Sequence, residues 1–317
     1  MDLSVRRSAL ILLIAVVLFP ALGQQGTQEQ PAWLLMVEGQ EAFREGNYGT
    51  ALSFFRKIVE RDRSNADAHL WIGYVFEAEG EYTLAKRKYE QSLQYERRFT
   101  PYERRIAARY ALAQVARKLG EDELYENTLE EIIEEGRSQE LSDARASAVM
   151  QKMNSQGPDK VMELYRLREK DVRRAYSLSA EHALRKQEYE RAVRDYSLEF
   201  AIVMTTAIEE MQRSTPGYEF LQEEIPVAGG GFFISNTRRF LQDAEDEPRI
   251  AEYFSSIRFY RELFLFAAAL YGSGEVEKAE TLWLITAEHR EAGVWSSLAR
   301  EQVAEPDLAE LPSILER

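Results

Sequence analysis

Cysteine is absent from all 317 residues. Disulfides, thiolate zinc sites and a lipid-bearing cysteine at an export cleavage point are therefore excluded. Histidine is nearly absent too: only His69, His182 and His289 occur, and no two of them form an H-E-x-x-H pair. His69, beside Leu70 and Trp71, reads as a packed or groove side chain rather than a ligand, whereas His182 and His289 stand among charged residues and read as surface positions. Gly229-Gly230-Gly231 is not completed by a lysine followed by serine or threonine, and neither G-x-G-x-x-G nor G-x-S-x-G is present. The four glutamates Glu130, Glu131, Glu134 and Glu135 lack the D-x-[DN]-x-[DN]-G spacing of a calcium loop and read as a solvated helix face. Arg97-Arg98 and Arg104-Arg105 are interleaved with Glu96 and Glu103, which makes them surface ion pairs rather than an anion site. No nucleophile, metal set or cofactor motif emerges, so the expectation is a non-catalytic protein with neither cofactor nor metal.

Positive charge is also in short supply. The net charge of −14 repels phosphate backbones and anionic lipid, which argues against nucleic-acid binding. Long apolar runs are missing after the N-terminus, where the longest is Leu263 to Leu270. At the N-terminus itself Arg6 and Arg7 precede the apolar run Ala9 to Phe19, followed by Pro20-Ala21-Leu22-Gly23. A basic flank, a short apolar core and small residues make a cleavable signal peptide over residues 1–23. Such a core spans only ~16 Å as a helix, against ~30 Å of hydrocarbon. Cleavage removes Asp2, Arg6 and Arg7, a net +1, and takes the chain from −14 to −15. The expected location of this disulfide-free chain is the bacterial periplasm or the cell exterior, with no stable membrane span after cleavage.

What the sequence does hold is one pattern written twice, 34 residues apart: Gly39 and Gly73, Gly46 and Gly80, Tyr48 and Tyr82, Ala51 and Ala85, Phe55 and Tyr89. The spacing predicts paired helices, the first over Ala32 to Glu45 and Ala66 to Glu79, ending at Gly46 and Gly80 in left-handed caps. The second helices start near Tyr48 and Tyr82 and gather Ala51, Phe55 and Ile58, or Ala85, Tyr89 and Ser92, on one face. Small residues at 39, 73, 51 and 85 let the helices approach, and Phe55 and Tyr89 fill the space between. One hairpin cannot bury its own apolar face, so further hairpins must follow.

These five landmarks resemble the tetratricopeptide repeat. The resemblance implies an all-α fold, a right-handed superhelical solenoid of helical hairpins, and a role in binding other proteins. Residues 24–31 read as a linker and 32–304 as one array, with clear repeats at 32–65, 66–99, 106–136, 173–203 and 260–290. The register slips over Arg97 to Arg105, and Ser142 to Leu167 forms a weaker helical pair broken at Gly157-Pro158. In the 173–203 repeat Gln187 replaces the turn glycine. Residues 205–250 form an irregular insertion, with helices expected near Ile202 to Gln212 and Asn236 to Ala244 around a loop containing Gly229 to Gly231. The last repeat carries Ala267, Gly274, Ala279 and Trp283. Glu291 to Val303 closes the stack, and 305–317 is a tail in which Leu311, Ile314 and Leu315 are placed to dock.

In this family the first helices line a partner groove. The matching positions are Trp33, Met36, Gln40 and Phe43 in the first repeat, Leu70, Tyr74 and Glu77 in the second, and Tyr110, Gln114 and Arg117 in the third. The family's chaperone-tail binders clamp a terminal carboxylate with lysine, asparagine and arginine, but Met36, Gln40 and Trp71 stand at clamp positions here. Aromatics with a few amides suit an extended peptide or an amphipathic helix instead. The implied role is an adaptor for one or more cell-envelope proteins. An alternative is a carrier in which Phe232, Phe233, Phe240, Phe264 and Tyr271 enclose a small apolar ligand.

Overall fold

A computed structural model describes residues 30–140, 158–218, 224–225, 232–233 and 237–315. The expected signal peptide, nearly all of the linker, the Gly229 to Gly231 loop and residues 142–157 of the weaker pair lie outside the described residues. The described ones include fourteen α-helices and fall into two compact units, one ending at Tyr102 and one beginning at Glu103. The division falls within Arg97 to Arg105, where the repeat register slips.

In the first unit, α1 (Ala32–Arg44) pairs with α2 (Tyr48–Arg61) and α3 (Ala66–Ala78) with α4 (Tyr82–Gln94). Gly46 and Gly80 have φ of +77° and +79° and close the first helices as expected. The amide after each glycine reaches back across the turn, Asn47 to the Ala42 carbonyl and Glu81 to the Phe76 carbonyl, both at 2.8 Å. Gly39 and Gly73 serve close packing. A Cβ at Gly39 would lie 2.5 Å from the Phe55 ring, and one at Gly73 would lie 2.3 Å from the Tyr89 ring. The aromatic of each second helix is thus seated on the bare backbone of the first, which is why glycine and aromatic recur together at 34 residues.

The second unit starts with α5 (Arg104–Leu119) and α6 (Asp122–Glu140), then α7 (Pro158–Arg185) and α8 (Tyr189–Ser214). A two-residue strand pair follows, β1 (Glu224–Ile225) antiparallel to β2 (Phe232–Phe233). Then come α9 (Thr237–Glu245), α10 (Pro248–Ser256), α11 (Phe259–Gly272), α12 (Val276–Glu288), α13 (Val294–Ala304) and α14 (Leu311–Leu315). The architecture is all-α and tetratricopeptide-like, with this strand pair as a small addition inside the irregular insertion.

The middle repeat differs from its expected bounds. The helices that contain residues 173–203 are 28 and 26 residues long. No separate helix begins near Ile202, because the buried stripe Ala192, Val193 and Tyr196 continues through Val203, Met204, Ala207 and Met211 at helical spacing. Gln187 takes the turn with φ of +60°, the left-handed conformation that glycine adopts elsewhere. The tail docks: Leu311, Ile314 and Leu315 are buried, and Arg185 donates a 2.6 Å hydrogen bond to the Leu315 carbonyl.

Two histidines depart from the surface reading. His182 is buried and bonded to Glu126 at 3.0 Å, while His289 is buried and bonded to Glu245 at 2.7 Å. Each has a charged sequence neighbourhood, but tertiary packing turns the ring inward against Tyr125 and Tyr260 respectively. His69 is packed, as expected, with Nε2 2.9 Å from the Arg63 carbonyl.

Candidate functional site

The first helices α1 and α3 present a continuous set of rings. Phe43 meets Trp71 at 5.5 Å and 74°, Trp71 meets Tyr74 at 5.3 Å and 82°, and Tyr74 meets Tyr89 at 5.7 Å. Tyr48 extends the series from Phe43, and Phe55 stacks beneath Trp71 at 5.8 Å. Edge-to-face contacts of this kind hold rings in place without closing their outer faces. Phe43, Trp71 and Tyr74 are half-buried, as are Met36 and Gln40, so a pre-set aromatic surface with an amide beside it remains partly open to solvent. Trp33 and Val37 are the most exposed large apolar residues at this end, at 68% and 52%.

Two of the expected groove residues in this unit have structural duties. Leu70 is 2% exposed and belongs to the core. Glu77 accepts a 2.6 Å hydrogen bond from the Tyr89 hydroxyl, locking the ring that sits on Gly73. Burial first, and this carboxylate second, push the Tyr89 phenol far up from its usual range.

Tyr110, Gln114 and Arg117 lie on α5 in the second unit. Tyr110 is not open to a partner: it is buried, its hydroxyl donates to the Asp171 carbonyl, and the Arg174 guanidinium lies over its ring at 4.6 Å. Burial raises its pKa, with the neighbouring Asp171 adding to the effect. Gln114 and Arg117 are exposed, Arg117 standing 3.9 Å from Glu181. Of the carrier residues, Phe240 and Phe264 are packed into one continuous core, Phe264 against Trp283 and Trp295. The side chains of Phe232 and Phe233 lie outside the described residues.

Sequence reasoning missed a second constellation, inside the second unit. Arg173 of α7 pairs with Glu199 of α8 at 2.5 Å, and Arg261 of α11 pairs with Glu181 of α7 and with Glu262, both at 2.9 Å. Arg185 also reaches Glu181 at 2.9 Å. Burial pushes Glu199 and Glu262 up from the usual carboxylate range, and Glu262 raises Glu199 further by repulsion. Glu181 also feels burial, but Arg261 and Arg185 prevail and hold it down. The available signal was Arg261-Glu262 interrupting an apolar helix from Phe259 to Leu270, since charge there has to be matched by charge from a neighbour.

Among the described residues there is no group of three or more potential metal ligands, and no helix is long and apolar enough to cross a membrane. No family model matches the chain, and no curated protein matches it. Solved structures do. The MamA protein is 13% identical, with 88% of this chain and 96% of that one covered and a TM-score of 0.43. YrrB, described as a TPR protein with an unusual peptide-binding site, is 18% identical over 60% of this chain and 95% of its own, with a TM-score of 0.31. A TPR repeats protein from Bacteroides fragilis is 11% identical over 80% of this chain and 96% of its own, with a TM-score of 0.30. The tetratricopeptide character of this chain rests on its own glycine, aromatic and turn geometry.

Proposed function

We propose that this chain is a non-catalytic scaffold of the bacterial cell envelope, exported by its N-terminal segment, that holds a peptide or helix of a partner protein on the α1 and α3 face. The observation that carries the reading is the ring series Phe43, Trp71 and Tyr74, fixed from below by Phe55 and Tyr89 and half-open above. Rings already held in place bury area on a partner at little entropic cost. Gln40 on the same helix supplies an amide to a partner backbone, while Trp33 and Val37 extend the apolar area toward the start of α1. Leu70 belongs to the core of this unit, and Tyr110, Gln114 and Arg117 belong to the other unit, so the contact set proposed for this face is Trp33, Met36, Gln40, Phe43, Trp71 and Tyr74.

The test is crosslinking capture of the mature protein in its native envelope, comparing wild type with Trp33→Ala/Tyr74→Ala. Loss of a specific partner at unchanged helical content supports the face. Retention of every partner moves the contact elsewhere on the chain. Fractionation of the same cells tests export, with a mature N-terminus at Gln24 as the expected result.

A further inference from the structure

The second unit has a face formed by the first helices of its hairpins, α5, α7 and α11, and Glu181 of α7 marks it. Arg117 of α5 stands 3.9 Å from this carboxylate, while Arg261 of α11 and Arg185 of α7 each reach it at 2.9 Å. One turn beyond Glu181, Arg185 also donates a 2.6 Å hydrogen bond to the Leu315 carbonyl, and α14 lies against α7 at this face. Leu311, Ile314 and Leu315 are buried in the same core as Ala183 and Leu184. The approach of the segment is set by Gln302, whose side-chain amide donates to the Asp307 carbonyl at 2.8 Å and accepts from the Asp307 backbone N–H at 3.0 Å.

α14 meets this face as a bound peptide would. A helix of five residues has no stability of its own in water, so its shape depends on the surface beneath it. Its anchors Leu311, Ile314 and Leu315 fall at i, i+3 and i+4, the spacing by which an amphipathic helix fills a groove, and Pro312 and Ser313 between them are exposed. The segment is acidic, carrying Glu305, Asp307, Glu310 and Glu316 against Arg317. The face is complementary: Arg185 meets the carbonyl end of the helix, where a cation is favoured. Arg117 on α5, with 47% of its side chain exposed, adds a second guanidinium to the same face.

We propose that the α5, α7 and α11 face is a docking site for an acidic amphipathic segment of a partner protein, apolar at i, i+3 and i+4, and that α14 fills it in cis until such a segment displaces it. Tethering gives α14 a high effective concentration at the face, so a partner segment competes for a site that is already filled. The site lies wholly within the second unit and is independent of the α1 and α3 face.

The test follows the fluorescence anisotropy of a labelled synthetic peptide, Glu305 to Arg317 of this sequence, as the full chain is titrated in. The expected result is saturable binding to Leu311→Asp/Ile314→Asp, at least about tenfold tighter than to wild type, where tethered α14 competes. Adding Arg185→Ala to that variant should weaken binding at least about threefold, since a charge-assisted hydrogen bond is lost. A peptide that itself carries Leu311→Asp/Ile314→Asp should not bind. Absence of saturable binding to the double variant at unchanged helical circular dichroism overturns the proposal and makes α14 a fixed part of the fold, as does equal binding to wild type and the variant. Should the double variant lose its helical circular dichroism, Ile314→Ala in the full chain decides by the same titration: tighter peptide binding than wild type supports the proposal, and no gain overturns it.

Discussion

The two units solve the same problem, joining helix to helix, with different chemistry. In the first, an aromatic ring rests on a glycine backbone, Phe55 on Gly39 and Tyr89 on Gly73, and the Tyr89 hydroxyl adds a hydrogen bond to Glu77. In the second, α7, α8 and α11 are tied by the ion pairs of Arg173 with Glu199 and of Arg261 with Glu181, all four side chains being buried. Apolar seating is tolerant and short in range, which suits a unit repeated every 34 residues. Buried charge is directional and intolerant of a missing partner, which suits long helices of 28 and 26 residues whose rotation and sliding must be fixed. Among the described residues the first unit buries only a few polar side chains, Asp67, His69 and Ser92, whereas the second commits several buried ion pairs to its interior.

The sharpest way to break this contrast is Arg261→Ala. Glu181 and Glu262 lose a cation at 2.9 Å each while remaining in a buried setting. The expected loss is about 3–5 kcal/mol, the range seen when one partner of a buried pair is removed, measured by urea unfolding followed through helical circular dichroism. A loss below about 1 kcal/mol, as for an exposed pair, would mean that these charges are effectively hydrated and that the two units do not differ in kind.

The matching perturbation of the first unit is Gly73→Ala. Its new Cβ would meet Tyr89 at 2.3 Å, and the ring is anchored by its hydroxyl on Glu77. Overpacking of this sort costs about 1–3 kcal/mol. Adding Tyr89→Leu should recover part of the loss, because a smaller side chain leaves room for the methyl group. Strict additivity in this double-mutant cycle would show that the ring does not rest on the glycine. A smaller gain is expected from Gln187→Gly, where φ is +60°. Removing the Cβ from a left-handed turn should stabilise the second unit by about 1 kcal/mol, read as a higher urea midpoint.

The sequence carried the first unit almost completely, and physical reasons explain why. Gly46 and Gly80 fix where helices end by backbone conformation alone, and Gly39 with Phe55 records a contact between neighbours in the chain. Local chemistry of this type repeats wherever the hairpin repeats. The long helices were harder to foresee because their bounds depend on a buried stripe, Val203 to Met211, whose burial is decided by helices distant in sequence. His182 and His289 show the same dependence: their sequence neighbours are charged, yet Glu126 and Glu245 receive them from 56 and 44 residues away. Of the positions that the family resemblance implies for a groove, Met36, Gln40, Phe43 and Tyr74 are half-buried. Leu70 and Tyr110 fall at equivalent repeat positions, but neighbouring helices cover them. The buried carboxylates were legible only in part: Arg261-Glu262 interrupts an apolar helix, but the approach of Glu199 to Glu262 depends on tertiary packing.

The smallest expected effect concerns Glu126, which tests whether ion pairs on the rim of the second unit behave like those inside it. One carboxylate oxygen takes His182 and Lys186 at 3.0 Å each, and the other takes Arg191 at 2.9 Å. Burial opposes the charged form of Glu126, but the hydrogen bonds from Lys186 and Arg191 outweigh it and bring its pKa from 4.5 down to about 2. A folded-state pKa below the unfolded one means that ionised Glu126 stabilises the fold. Its contribution is complete above pH 4.5 and is lost as the pH falls toward 2. The side chain is 25% exposed, so solvent screening keeps the contribution under about 1 kcal/mol. Urea unfolding of wild type and Glu126→Gln across that window should give curves that differ above pH 4.5 and converge as the pH approaches 2. A gap that stays constant with pH would assign the role of Glu126 to packing rather than charge and set this rim cluster apart from the interior pairs.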